Sequence, residues 1–130
     1  MKQMENINAN SITDYEAIIN TMKTYTEGFR TGDTTIFNDV FTKDAVMYGY
    51  WYGHFVEGSI ENLHASVKQA AAAPNIISHV SILDKTATTA VVRNEVEANA
   101  TGDNFTEFHS LIKEGDVWKI VSKVFHKYDK

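Results

Sequence analysis

Residues 104–127 read NFTEFHSLIKEGDVWKIVSKVFHK, and this stretch decides the fold. Two runs rich in β-branched and aromatic residues, 104–113 and 117–126, flank Glu114, Gly115 and Asp116. Such side chains suit a pleated surface, and a short glycine-containing break between two such runs signals a hairpin. In the second run, strict alternation puts Trp118, Ile120 and Val124 on one face and Val117, Val121 and Phe125 on the other. A sheet with one face simply in water does not need apolar residues on both. One face is therefore expected to meet helices. The other is expected to meet a second copy of the chain, which predicts a homodimer through the sheet.

Upstream, two more strands are expected. Residues 76–83 form the first, ended by Asp84 and Lys85. Residues 88–100 form a long second, ended by Gly102 and Asp103. In the long strand Ala90, Val92 and Val96 share one face, while Val91, Arg93, Glu95 and Glu97 share the other. Four strands joined by tight turns make a meander.

The first half of the chain reads as helices around one strand. Tyr15, Ile18, Met22, Tyr25 and Phe29 recur at spacings of three and four, which gathers them on one helix face. Thr13 and Glu16 have capping-box spacing, and Gly32 is placed to end the helix in a left-handed conformation. Asp33 can cap a shorter helix with Ile36, Phe37, Val40 and Phe41 inward. Asp44 leads into an aromatic strand over 45–51. Gly53 and Gly58 bracket a loop holding His54, Phe55, Val56 and Glu57. Ser59 caps a third helix, with Ile60, Leu63, Val67 and Ala70 or Ala71 inward, and Pro74 stops it. Helices segregated from antiparallel strands indicate an α+β domain: three N-terminal helices on a curved sheet. One domain is expected over residues 1–130, with 1–10 as a flexible arm.

Composition narrows the function. The chain has 130 residues, 43% of them hydrophobic, enough for one self-sufficient core. The absence of cysteine excludes disulfides and thiolate metal sites and suits a reducing cytoplasm. The polar N-terminus has no signal-peptide core; no stretch approaches a membrane span; the Asn99 and Asn104 sequons are then fortuitous. A net charge of −5 with scattered Lys and Arg gives no electrostatic footprint for nucleic acid.

Three segments, YEAIINTMKTYTEGFRTGD, FNDVFTKDAVMYG and FTEFHSLIKEGDVWKIVSKVFH, occur in the order found in the nuclear transport factor 2-like (NTF2-like) superfamily. The first resembles that group's long helix ending in Gly-Asp, the second its short helix and strand entry, and the third its final hairpin. Within the superfamily these segments most resemble a small SnoaL-like bacterial subgroup named "putative lumazine-binding". The resemblance covers about residues 12–126. It implies a cone-shaped half-barrel whose concave sheet and helices enclose a pocket, with a convex face that often supports dimers. It does not fix a function, because the superfamily holds isomerases, dehydratases, polyketide cyclases and non-catalytic binding or assembly domains.

Acid–base enzymes of this shape place a carboxylate or imidazole in an apolar cavity beside a hydrogen-bond donor. Candidate acid–base residues are His109, His79 and Glu95. His109 shares a strand face with Phe105, Glu107 and Leu111, and Glu95 lies mid-strand. A His109–His79 pair with Tyr25, Tyr48 or Tyr50 as donor would suit a dehydratase. The ligand-binding candidates are the aromatic set Tyr25, Phe29, Phe41, Tyr50, Trp51 and Phe55, suited to stacking a flat ring, with Arg93 as a polar contact. The bland reading keeps the rings as core, His109 as a hydrogen-bonded structural residue and the Arg93–Glu97 charges as a solvated row. The five histidines lack metal-ligand spacing, and nucleotide and triad-hydrolase motifs are missing, so no cofactor or metal is expected. A small-molecule-binding dimer, an acid–base enzyme and a pure assembly module all stay open.

Overall fold

The computed structural model describes residues 11–129; the arm expected over 1–10 lies outside them. The elements are α1 (Ile12–Thr31), a 3₁₀ turn (Thr34–Ile36), α2 (Phe37–Val40), β1 (Phe41–Trp51), β2 (His54–Val56), α3 (Glu61–Ala70), β3 (Ile77–Lys85), β4 (Thr89–Glu97), β5 (Phe105–Glu114) and β6 (Val117–Lys127). The six strands form one sheet in the order β2-β1-β6-β5-β4-β3. The expected meander is present, and β1 closes against β6 in parallel. Three helices on a curved mixed sheet are the architecture the sequence predicts.

Several boundaries differ. The first helix begins at Ile12 with Ser11 as its cap, without a side-chain capping bond, so Thr13 and Glu16 lie inside the helix and form no capping box. Tyr15 is exposed while its neighbour Asp14 is buried. The reason is at the other end of the chain: the Trp118 indole donates to Asp14 Oδ1 at 3.2 Å, and Lys113 Nζ lies 3.0 Å from the same oxygen. Thr21 adds a bond to the Trp118 carbonyl at 2.8 Å. These polar clasps fix α1 across β6. Strand β1 starts four residues earlier than expected, at Phe41, because Phe41 pairs with Ile120. Residues 54–56, expected as loop, pair with β1 as a sixth strand. Strand β4 ends at Glu97 instead of continuing to 100.

The sheet bends at irregular pairings. Strand β3 carries an extra residue between Ile82 and Asp84, β6 one between Ile120 and Ser122, and β1 breaks register between Phe41 and Val46. Such bulges bend a strand and increase its twist. The extra residue in β6 is Val121, and it shifts the alternation. Trp118 and Ile120 face inward, but beyond the bulge the buried residues are Lys123, Phe125 and Lys127, while Val124 is exposed. Phe125, not Val124, therefore shares the inner face with Trp118 and Ile120, contrary to the strict alternation read from the sequence.

The core fills the space between α1, α2, α3 and the concave face with Ile18, Met22, Phe37, Val92, Leu111, Trp118 and Ile120. Close approaches pin it. A Cβ on Gly49 would lie 2.5 Å from the Phe125 carbonyl oxygen and 2.7 Å from its ring. Replacing Gly49 with Ala should therefore destabilise the domain by about 1–3 kcal/mol, the usual cost of overpacking, read as a lower urea midpoint with an unchanged slope.

Candidate functional site

A carboxylate in the middle of β5 organises the cavity floor. Glu107 points inward and is buried. Its Oε1 accepts from the Tyr25 hydroxyl at 2.9 Å and from the Asn94 amide at 3.2 Å. His109 Nε2 lies 2.9 Å from the same atom. Its Oε2 faces Lys123 Nζ at 3.3 Å. Four elements contribute: α1 supplies Tyr25, β4 Asn94, β5 Glu107 and His109, and β6 Lys123. Burial alone would raise the Glu107 carboxyl, but the Lys123 charge, the bond and charge of His109 and the Tyr25 bond outweigh it and hold the group at about 2 instead of 4.5. The carboxylate is ionised at neutral pH, so the Nε2–H of His109 must be the donor. Burial lowers the histidine, against the pull of Glu107, which favours the neutral ring. Its Nδ1, like Asn94 Oδ1, is buried without a partner among the described residues. Tyr25 is pushed well above its ordinary value, first by burial and then by the Glu107 charge and hydrogen bond.

Above this floor lies a cavity of ≈ 100 Å³ between α1, α3 and the sheet. Tyr25, Glu107 and Lys123 reach its surface, while Phe29, Trp51, Phe105 and Phe125 supply aromatic walls. Trp51 stacks on Phe105 with ring centroids 5.7 Å apart. The opposite wall holds Leu63, Val67 and the small residues Ala70, Ala71 and Ala73. The rim includes residues 99–101 of the β4–β5 connection. It is tied to the β1–β2 turn by Asp103, which accepts from the Tyr52 hydroxyl at 2.9 Å on both oxygens and from Thr101 at 2.5 Å. Lys127 Nζ stands 3.7 Å from Asp103 and 3.9 Å from the centre of the Tyr52 ring.

Some expected site residues meet here and others do not. Tyr25, Phe29 and Trp51 line the cavity, and His109 stands one hydrogen bond behind it. Phe41 is buried in the core beside Phe37 and Tyr25 and does not line it. Tyr50 and Phe55 are 62% and 53% exposed and pack on each other away from the cavity, because Tyr50 alternates with the inward Gly49 and Trp51. Tyr48 goes with them. Arg93 and Glu95 occupy the outward positions of β4, where they pair with each other at 3.4 Å. His79 faces Glu95 across the β3–β4 ladder. The proposed His79–His109 pair does not form, since one histidine is on the outer face and the other on the inner. Sequence reasoning missed Glu107, Asn94 and Lys123 as site residues. Glu107 was legible, since it shares an apolar strand face with Phe105, His109 and Leu111. Lys123 was hidden by the Val121 bulge.

The family described as "Putative lumazine-binding" matches residues 13–126. The chain belongs to this family. It is an NTF2-like domain, as its solved relatives confirm. An NTF2-like protein of unknown function from Methylobacillus flagellatus superposes with a TM-score of 0.89 at 27% identity, over 95% of this chain and 100% of that one. Another from Shewanella baltica gives 0.86 at 26% identity, with the same coverage. Among curated proteins, the aldolase FrzH of a Cladobotryum species is 36% identical over 116 residues, spanning 89% of this chain and 93% of its own length.

The ion pair makes two predictions for this NTF2-like domain. A carboxyl lowered on folding adds stability above its unfolded value and loses it on acidification. Its contribution should therefore fade as pH falls from about 4.5 toward about 2, visible in urea midpoints across that range. Glu107→Gln leaves Lys123 buried and uncompensated, and should cost about 3–5 kcal/mol at neutral pH. The double variant Glu107→Gln/Lys123→Met should recover part of that loss.

Proposed function

We propose that this domain is an acid–base enzyme that binds a small, mostly apolar carbonyl compound and makes or breaks a bond next to the carbonyl through an enolate. One observation carries the reading: an ionised carboxylate and an ammonium, 3.3 Å apart, together form the charged floor of a cavity whose other walls are mostly aromatic and aliphatic. Enolate chemistry needs a proton acceptor and a cationic or hydrogen-bonding partner for the developing oxyanion, and the floor offers both. The name aldolase on a relative 36% identical over nearly its whole length supports bond making or cleavage of this kind. A cavity of ≈ 100 Å³ is below the ~300 Å³ at which most ligand sites begin, so the captured part of the substrate is one ring with short substituents. Trp51 and Phe105 offer it flat faces.

A second reading is a ligand-binding domain without turnover. Its support is the full set of partners on Glu107, which weakens the carboxylate as a base. The two readings separate with one substrate panel. Incubated with the benzaldehyde–acetone aldol adduct, the enzyme should release benzaldehyde, and with acetophenone in deuterated water it should exchange the α-protons. Glu107→Gln should lower both rates by at least about 100-fold, the lower range for a lost general base. Binding of these compounds with neither cleavage nor exchange would leave only the binding reading.

The domain is proposed to act as a homodimer through its convex face, where Tyr48, Val91, Phe108 and Val124 are 39–48% exposed. Phe108 and Val124 are paired neighbours at its centre. Light scattering should give twice the mass of the 14.6 kDa chain, and Phe108→Glu should return the monomer.

A further inference from the structure

The carbonyl-directed reading leaves two routes for a lysine in the site. A neutral amine could form an imine with the substrate, or a charged ammonium could hold the enolate oxygen. The surroundings of Lys123 discriminate between them. Its ammonium lies 3.3 Å from Glu107 Oε2. It stands over three aromatic rings, 5.6 Å from the centre of Tyr25, 5.3 Å from Phe29 and 5.4 Å from Phe125. A carboxylate and three ring faces are all partners that attract an ammonium. An imine would require the lysine to leave them and give up a proton. Glu107 cannot easily receive that proton either, since Tyr25, Asn94 and His109 all stabilise its anion.

Resting on the enzyme reading above, we propose that Lys123 remains a non-covalent ammonium that turns from Glu107 to the substrate oxygen, and that this turn frees Glu107 to take the α-proton. An ammonium has three donors, and among the described residues Glu107 is its one ion-pair partner. Lys123 also reaches the cavity surface, so a carbonyl oxygen can compete for it. As the ammonium moves, Glu107 loses the strongest of the influences that hold it acidic and becomes a better base where a base is needed. The step balances. The α-carbon–hydrogen bond breaks and its proton goes to Glu107 Oε2. The bonding pair becomes the carbon–carbon double bond, and the carbonyl pair moves to oxygen as an enolate beside Lys123. Protonation of the carbon by Glu107 completes an exchange, whereas attack of that carbon on an aldehyde makes an alkoxide, to which Glu107 returns the proton to complete an aldol addition. Before a substrate binds, the same ion pair keeps the base quenched.

The test uses the intact protein with acetophenone as probe, reading α-proton exchange by NMR. Sodium borohydride added to the wild-type mixture should leave Lys123 unmodified in a peptide map. Lys123→Met should lose at least about 100-fold in exchange rate, the scale of a lost oxyanion partner, with probe affinity changed much less. Lys123→Arg, which keeps the charge and forms no imine, should retain measurable exchange, and it replaces the Met variant if that one fails to fold. A reduced adduct on Lys123, or exchange at the wild-type rate in a folded Lys123→Met protein, overturns the assignment while leaving the enzyme reading intact. Binding without exchange in the wild type removes the enzyme reading itself, and this proposal with it.

Discussion

A carboxylate taken out of water must be neutralised where it stands, at a cost otherwise of several kcal/mol. Glu107 imposes that requirement on most of the molecule. Its two oxygens draw partners from the first helix and from three neighbouring strands, so the helix must cross the sheet at one height and in one rotation for Tyr25 to arrive. The Asp14–Trp118 clasp fixes the same helix further along. Between these two polar points the apolar stripe of Ile18 and Met22 is held against the sheet. The hydrophobic core provides most of the stabilisation, while the polar contacts determine where it settles.

The network also carries the proposed chemistry. Most buried ion pairs are poor stabilisers compared with apolar packing, and this one borders a cavity that apolar side chains could have filled. Among the described residues Asn94 Oδ1 and His109 Nδ1 remain without partners, so the cluster is not optimised for stability alone. Buried polar groups that exceed what packing needs are characteristic of sites where a charge must be available to a ligand.

Much of this was readable in the chain itself. The periodicity from Ile18 to Phe29, the Gly32 stop and the Glu114–Asp116 turn each have a local cause, and local causes survive folding. The short strand at His54–Val56 did not show, because three residues gain strand character only from pairing with Gly49, Tyr50 and Trp51. The inward turn of Lys123 did not show either. Strict alternation from Trp118 puts every odd-numbered residue of the strand outside, and nothing in the Val121–Ser122 dipeptide announces an extra residue. The bulge follows from pairing with β5, a contact between distant parts of the hairpin. For the same reason His79, Arg93 and Glu95 stood out as site candidates and Glu107 was passed over: which face of a strand is concave is a property of the whole sheet.

The rim follows different rules from the floor. Residues 99–101 and the turn at Tyr52 meet through the single carboxylate of Asp103, outside the regular ladder. Insertions or exchanges there would alter who is admitted without disturbing the strands that position Glu107 and Lys123. If the proposed chemistry holds, a lineage could inherit one reactive centre and diversify its clientele by rewriting the doorway, so that a single scaffold could serve many small molecules.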